Sequence, residues 1–123
     1  MAKTVAVIGA SNDRSKFGNK AVRAYRNQGY QVFPVNPRVD SVEGLPAYRS
    51  ISDVPGMVDI VLVYVPPKIG IGLLSDIAAK RPKEIYLNPG TESDEIVEKA
   101  QSLGLSPIQA CSILAVGMRP EEV

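Results

Sequence analysis

The chain has 123 residues, 45% of them hydrophobic and 22% charged, with 14 lysines and arginines against 13 aspartates and glutamates for a net charge of +1. That length carries one core rather than two, and so even a charge balance supplies no global field for nucleic acid or an anionic membrane. Cys111 stands alone and histidine is absent, which excludes a disulfide framework, the usual Ser/His and Cys/His catalytic pairs and nearly all zinc chemistry.

Val5 to Ile8 is a short apolar run of the kind buried on both faces of a parallel sheet, and Gly9-Ala10-Ser11 ends it in a tight turn. A polar loop carrying Arg14 and Lys16 leads into a helix expected from about Asn19 to Asn27, with Gly29 just past its end. Gln31 to Val35 is the second strand, closed by Asn36-Pro37. From Arg38 to Leu45 the chain is polar and makes a surface excursion, Ala47-Tyr48 adds a short extended piece, and Ser50 to Val54 is a helical turn with Ser50 as its N-cap. Val58 to Val65 is the most strand-like run and belongs in the sheet interior.

Pro66-Pro67 ends that strand, and Pro67 suits the first turn of a helix reaching about Lys80. Glu84 to Leu87 is a fourth strand, broken by Asn88-Pro89-Gly90, and Thr91 is the expected N-cap of a helix that Gly104 terminates. Pro107 to Ala110 is a short fifth strand at an edge, where proline is tolerated. Ser112 to Gly117 packs back on the body, and Arg119 to Val123 is expected to be loose. The alternation implies an α/β fold: a three-layer open parallel sheet of about five strands with helices on both faces. The expected strand order is 3-2-1-4-5.

Ligands of such sheets bind outside the carboxyl ends of the strands, near the point where the order reverses. The backbone N–H groups and the dipole of the first helix make the Gly9-Ala10-Ser11-Asn12 turn a phosphate site, with Arg14 and Lys16 available for a pyrophosphate. An NAD site needs an acid at the end of the second strand, whereas this chain has Asn36, Pro37 and the cation Arg38. That favours a ribose carrying a phosphate, as in NADP-like or coenzyme-A-like molecules. The prolines at the other strand ends suit a rigid, weakly polar crevice for a planar base.

The segments GAS and SKFG, GYQVFPVNP, GLPAYRSISDVP, VDIVLVYVPP, LNPGTES and ACSILAVG together resemble the stand-alone coenzyme-A-binding domain proteins. Their domain is similar to the N-terminal Rossmann domain of the succinyl-coenzyme-A synthetase α subunit and of ADP-forming acyl-coenzyme-A synthetases. The resemblance implies one such Rossmann-type domain over residues 1–123, with coenzyme A or an acyl derivative across the carboxyl edge of the sheet. It implies that Ser11, Asn12, Asp13 and Arg14 border the phosphates, that Asn36, Pro37 and Arg38 border the ribose phosphate, and that Val65, Pro66 and Pro67 border the adenine. The synthetases carry a phosphoryl group on a histidine of a second domain, and this chain has no histidine, so binding without the ligase reaction is expected.

Gly9 and Ala10 complete the binding set as the close-approach turn, and neither catalytic nor metal residues are expected. Cys111 has no histidine or adjacent cation to activate it and is expected to be a buried structural thiol. Glu92, Asp94, Glu95 and Glu98 complement a helix dipole, and the tyrosines form no stripe interleaved with a basic patch, so nucleic-acid binding is not expected. The opening Met-Ala-Lys shows no signal-peptide pattern and no apolar run approaches the ~20 residues of a membrane helix, so a cytoplasmic protein without membrane contact is expected. The alternatives are an NADP-binding oxidoreductase domain, or a subunit that presents coenzyme A within a multi-component synthetase. A homodimer or a protein partner is compatible with either.

Overall fold

The computed structural model describes residues 3–123. Strand β1 (Thr4–Ile8) leads through the expected turn into helix α1 (Phe17–Asn27), which begins two residues earlier than its apolar spacing suggests, and then into β2 (Gln31–Val35). The surface excursion is a hairpin of β3 (Ser41–Val42) and β4 (Leu45–Pro46). Its two-residue loop is Glu43-Gly44, both at positive φ (52° and 78°), as the tightest hairpin turns require. A 3-10 turn (Ile51–Asp53) precedes β5 (Ile60–Val63), followed by α2 (Pro67–Ala79), β6 (Glu84–Leu87), α3 (Asp94–Ser102), β7 (Pro107–Gln109) and α4 (Ser112–Ala115).

The fold class is the expected one, an open sheet of five parallel strands covered by helices on both faces. Side chains alternate between two apolar layers, as strand geometry dictates. Val5, Val7, Ile60 and Leu62 meet α1 and α4 through Val22, Tyr25 and Ile113. Ala6, Ile8, Val61 and Val63 meet α2 and α3 through Leu74, Ile77 and Ile96.

The strand order needs correction. The sequence reading placed the run Val58–Val65 outside the second strand, but the sheet runs β2-β1-β5-β6-β7, so that run pairs with β1 instead. Pro34 is the physical reason. Lying inside β2 with no N–H, it prevents a full ladder on the outer side of that strand. A single residue fits there: Tyr48 bridges Val35 in parallel, its N–H donating to the Pro34 carbonyl and its carbonyl accepting from Asn36 N–H, both at 2.9 Å. β5, with all four residues buried, needs a strand on each side and finds them in β1 and β6. The chain therefore reverses direction across the sheet between β1 and β5, and that is where a crevice opens.

Two smaller expectations also change. The N-cap of α3 is Ser93, whose hydroxyl accepts from Ile96 N–H at 3.2 Å, because the Thr91 hydroxyl is turned inward to the Asn88 carbonyl at 2.7 Å. Residues 119–123 are not loose: they close in a 3-10 turn (Pro120–Glu122) that Lys20 ties to α1 through the Pro120 carbonyl at 3.0 Å, and Val123 packs on the α1 layer. No helix among the described residues is long and apolar enough to cross a membrane.

Helix α1 approaches β1 so closely that a Cβ on Gly18 would lie 2.2 Å from the Gly9 carbonyl oxygen, while a Cβ on Gly72 in α2 would meet open space. Gly18→Ala should therefore lower the unfolding free energy by about 1–3 kcal/mol or more through forced overpacking. Gly72→Ala should raise it by roughly 0.5–1 kcal/mol through helix propensity. Urea denaturation of both variants measures the contrast, and equal effects would contradict the packing described.

Candidate functional site

A cleft of about 1000 Å³ crosses the carboxyl ends of β2, β1, β5 and β6. Its floor is set by the β1 turn. Gly9, at φ +89°, passes so near β5 that a Cβ would sit 2.7 Å from the Tyr64 carbonyl oxygen, and Gly18 lets α1 start directly against that turn. No side chain caps α1, and its first two amides, those of Phe17 and Gly18, have no acceptor among the described residues. Such a helix end attracts an anion, each favourable charge being worth about 0.3–1 kcal/mol. Ser11 stands beside it, its hydroxyl accepting from Asp13 N–H at 3.0 Å and keeping its own proton to donate. Asp13 is occupied within the loop by the Ser15 hydroxyl and N–H, which hold its carboxyl below the usual range.

Charge in the cleft is lopsided. Lys16, Arg38 and Arg49 line it against one acid, Asp76, and none of the three cations forms an ion pair among the described residues. By contrast, Arg14 and Arg26 are drawn out to the hairpin tip, where they meet the Glu43 carboxylate at 3.5 and 3.8 Å. Asn19, fully buried on α1, donates to the same carboxylate at 3.1 Å and to the Ser11 carbonyl at 2.8 Å, so the hairpin braces the phosphate-type loop.

Two asparagines fasten the strand ends. Asn36 donates to the Ala10 carbonyl at 2.8 Å and accepts from Arg38 N–H at 2.7 Å, linking the end of β2 to the β1 turn while fixing the backbone of Arg38. Asn88 donates to the Val63 carbonyl at 3.0 Å and accepts from Ser112 N–H and Oγ–H at 2.9 and 2.8 Å, linking β6 to β5 and to α4. Since the Ser112 proton goes to Asn88, the Tyr64 phenol donates to Ser112 Oγ at 2.7 Å. Burial pushes the Tyr64 phenol well above its usual ionisation range, and the same holds for Tyr25, which donates to the Ser112 carbonyl at 2.8 Å.

Of the residues named from sequence, the cleft brings together Gly9, Ala10, Ser11, Lys16, Asn36, Pro37, Arg38, Val65 and Pro66. It does not include four others: Asn12 donates to the Ser41 carbonyl at 3.0 Å, Asp13 is taken up by Ser15 within the loop, Arg14 is held by Glu43, and Pro67 is the first residue of α2. Sequence reasoning missed Arg49, because Ala47-Tyr48 reads as a short extended piece with no sign of where it pairs, and missed the Tyr64–Ser112–Asn88 chain, whose partners are far apart in sequence. Cys111 is half-buried on the cleft wall rather than fully buried, its segment turning there into α4. No group of His, Cys, Asp and Glu among the described residues could hold a metal ion.

Comparison with known proteins matches residues 3–118 to the family model of a CoA binding domain. The α subunit of an ADP-forming acetate–CoA ligase II from Pyrococcus furiosus is 34% identical over 82% of this chain, which spans 24% of that subunit. Against ADP-forming acetate–CoA ligases I and II of Archaeoglobus fulgidus the chain spans only 10% and 14% of the relative's length. Among solved structures, a conserved hypothetical protein from Pyrococcus furiosus superposes with a TM-score of 0.82 at 31% identity, covering 94% of this chain and 99% of its own. A dinucleotide-forming acetyl-coenzyme A synthetase from Ca. Korarchaeum cryptofilum, in complex with phosphate and ADP, gives 0.77 at 31% identity over 88% of this chain and 25% of its own.

The buried phenols predict an alkaline limit. Above pH ~10 an unfolded chain releases phenol protons that Tyr25 and Tyr64 retain when folded, so stability should fall as pH rises from there. Ultraviolet absorbance of the folded protein at about pH 11 should show phenolate from fewer than all five tyrosines, the remainder appearing on addition of denaturant. Five phenols titrating together near pH 10 in the folded protein would contradict the network.

Proposed function

This chain belongs to the CoA-binding domain family, and from that premise we propose that its cleft holds coenzyme A or an acyl-coenzyme A and performs no ligase chemistry of its own. The observation that carries the proposal is the cleft itself: three cations unpaired among the described residues and an open helix N-terminus around a rigid crevice at the point where the sheet reverses. A pyrophosphate lies against the Gly9–Ser11 turn and the start of α1, with Lys16 as its side-chain cation. Arg38 takes the ribose phosphate. Val65 and Pro66 form the apolar wall for the adenine, and the pantetheine runs toward Asn88, Gly90 and Cys111 at the far end of the same cleft.

Chemistry of its own would require a general base or nucleophile poised in this cleft. The chain has no histidine to activate the two other candidates on the cleft lining, Cys111 and Asp76, and the Tyr64 phenol is held neutral by burial and committed to Ser112. Holding the ligand is what such a site does without further groups. A second reading, delivery of coenzyme A to a partner subunit, is favoured by the similarity to a ligase component named as an α subunit.

Titration calorimetry with coenzyme A and NADPH, on wild type and Arg38→Ala, tests the proposal. Coenzyme A should bind in preference to NADPH, and Arg38→Ala should weaken it by about 1.5–3 kcal/mol, the worth of a hydrogen bond to a charged group. Absence of coenzyme A binding to the wild type would overturn it.

A further inference from the structure

We propose that Arg49 is the second arm of a two-guanidinium grip, closing with Arg38 on a phosphomonoester, so that the cleft separates ligands carrying that phosphate from those that lack it. The inference rests on the coenzyme A reading and gives a role to a cation to which that reading assigns none. Its basis is the one-residue strand on the outer edge of the sheet. The parallel bridge between Val35 and Tyr48, with Asn36 N–H on the Tyr48 carbonyl, aligns the two chain segments where both leave the sheet. Arg49 follows Tyr48 by one residue and Arg38 follows Asn36 by two, so both emerge at the same corner of the cleft and both line it.

Each backbone is fixed while each side chain is free. Asn36 Oδ1 accepts from Arg38 N–H at 2.7 Å, and the 3-10 turn that starts just after Arg49 closes with Asp53 N–H on the Ser50 carbonyl at 3.1 Å. Both guanidiniums are exposed and neither meets a carboxylate among the described residues, whereas Arg14 and Arg26 share the Glu43 carboxylate. Two like charges at one corner repel until an anion lies between them. A phosphomonoester carries roughly −1.5 to −2 at neutral pH, which two arginines balance and one does not. The planar guanidinium fork matches two phosphate oxygens at once, so each arm adds direction as well as charge. A ribose bearing only a hydroxyl offers neither the charge nor the oxygens.

Calorimetry of coenzyme A and dephospho-coenzyme A on wild type, Arg49→Gln and Arg49→Lys tests the grip, with circular dichroism to show that each variant folds. Arg49→Gln should weaken coenzyme A by roughly tenfold or more and change dephospho-coenzyme A by less than about twofold, and Arg49→Lys should recover part of the loss. Equal weakening of both ligands, or no weakening of coenzyme A, would overturn the grip while leaving the coenzyme A site standing. A wild type that binds neither ligand would instead overturn the site, and the grip with it.

Discussion

Helix α1 meets the end of β1 with no side chain between them, and the rest of the site follows from that contact. The Gly18 Cα faces the Gly9 carbonyl at a distance that leaves no space for a β-carbon, and Gly9 in turn passes against the backbone of Tyr64 at positive φ. These two close approaches bring a helix N-terminus, the β1 turn and the end of β5 to one point. A larger residue at Gly18 would push α1 outward, so that the amides of Phe17 and Gly18 would no longer open on the cleft, and one at Gly9 would force the β1 turn away from the end of β5. The loop between the two glycines is then long enough to need bracing. Asn19 supplies it, joining the Ser11 carbonyl to the Glu43 carboxylate at the hairpin tip.

Past the last ladder hydrogen bond, strand ends in a parallel sheet have backbone groups without partners and would ordinarily be satisfied by water. Here asparagine side chains replace the missing strand neighbours: Asn36 carries a donor from β2 to Ala10, and Asn88 carries one from β6 to Val63. An amide suits the task because it donates and accepts at once, so Asn36 also fixes the Arg38 backbone two residues on, and Asn88 also collects a third segment at Ser112. Buried side-chain polar atoms without a partner are absent among the described residues. The frame of the cleft is therefore set before any ligand arrives, and a ligand does not have to supply the cost of ordering it.

Much of this was legible in the sequence, and what was not has definite causes. The apolar runs at residues 5–8, 31–35, 58–65 and 84–87 and the short edge segment 107–110, together with the Gly and Pro punctuation around them, locate all five strands of the sheet and the ligand-binding edge. Strand order failed because Ala47-Tyr48, read as extended, pairs through one residue and carries no sign of its neighbour, although Pro34 inside β2 already argued that nothing longer could lie outside it. Asn12 and Arg14 looked like phosphate ligands because they follow the turn. Their partners, Ser41 and Glu43, are presented by a hairpin too short to announce itself except through Glu43-Gly44. Thr91 lost the N-cap to Ser93 because its hydroxyl serves the Asn88 carbonyl, a contact no local rule anticipates.

The same contacts explain why some cations on this face are free and others are not. Glu43 is the acid the hairpin brings to α1, and it takes up Arg14 and Arg26 on the outer side of the loop. On the inner side, the one acid lining the cleft, Asp76, faces three cations and pairs with none of them among the described residues. Solvated cations lose little by being unpaired, but a cluster of them raises the local potential, and a low-dielectric wall such as Val65 and Pro66 concentrates it. An anion entering the crevice meets that potential, fixed amides and guanidiniums whose backbones do not move. Binding then costs chiefly the ordering of a few long side chains, and this is why a frame held by neutral amides and lined with unpaired charge favours a polyanionic ligand over a neutral one.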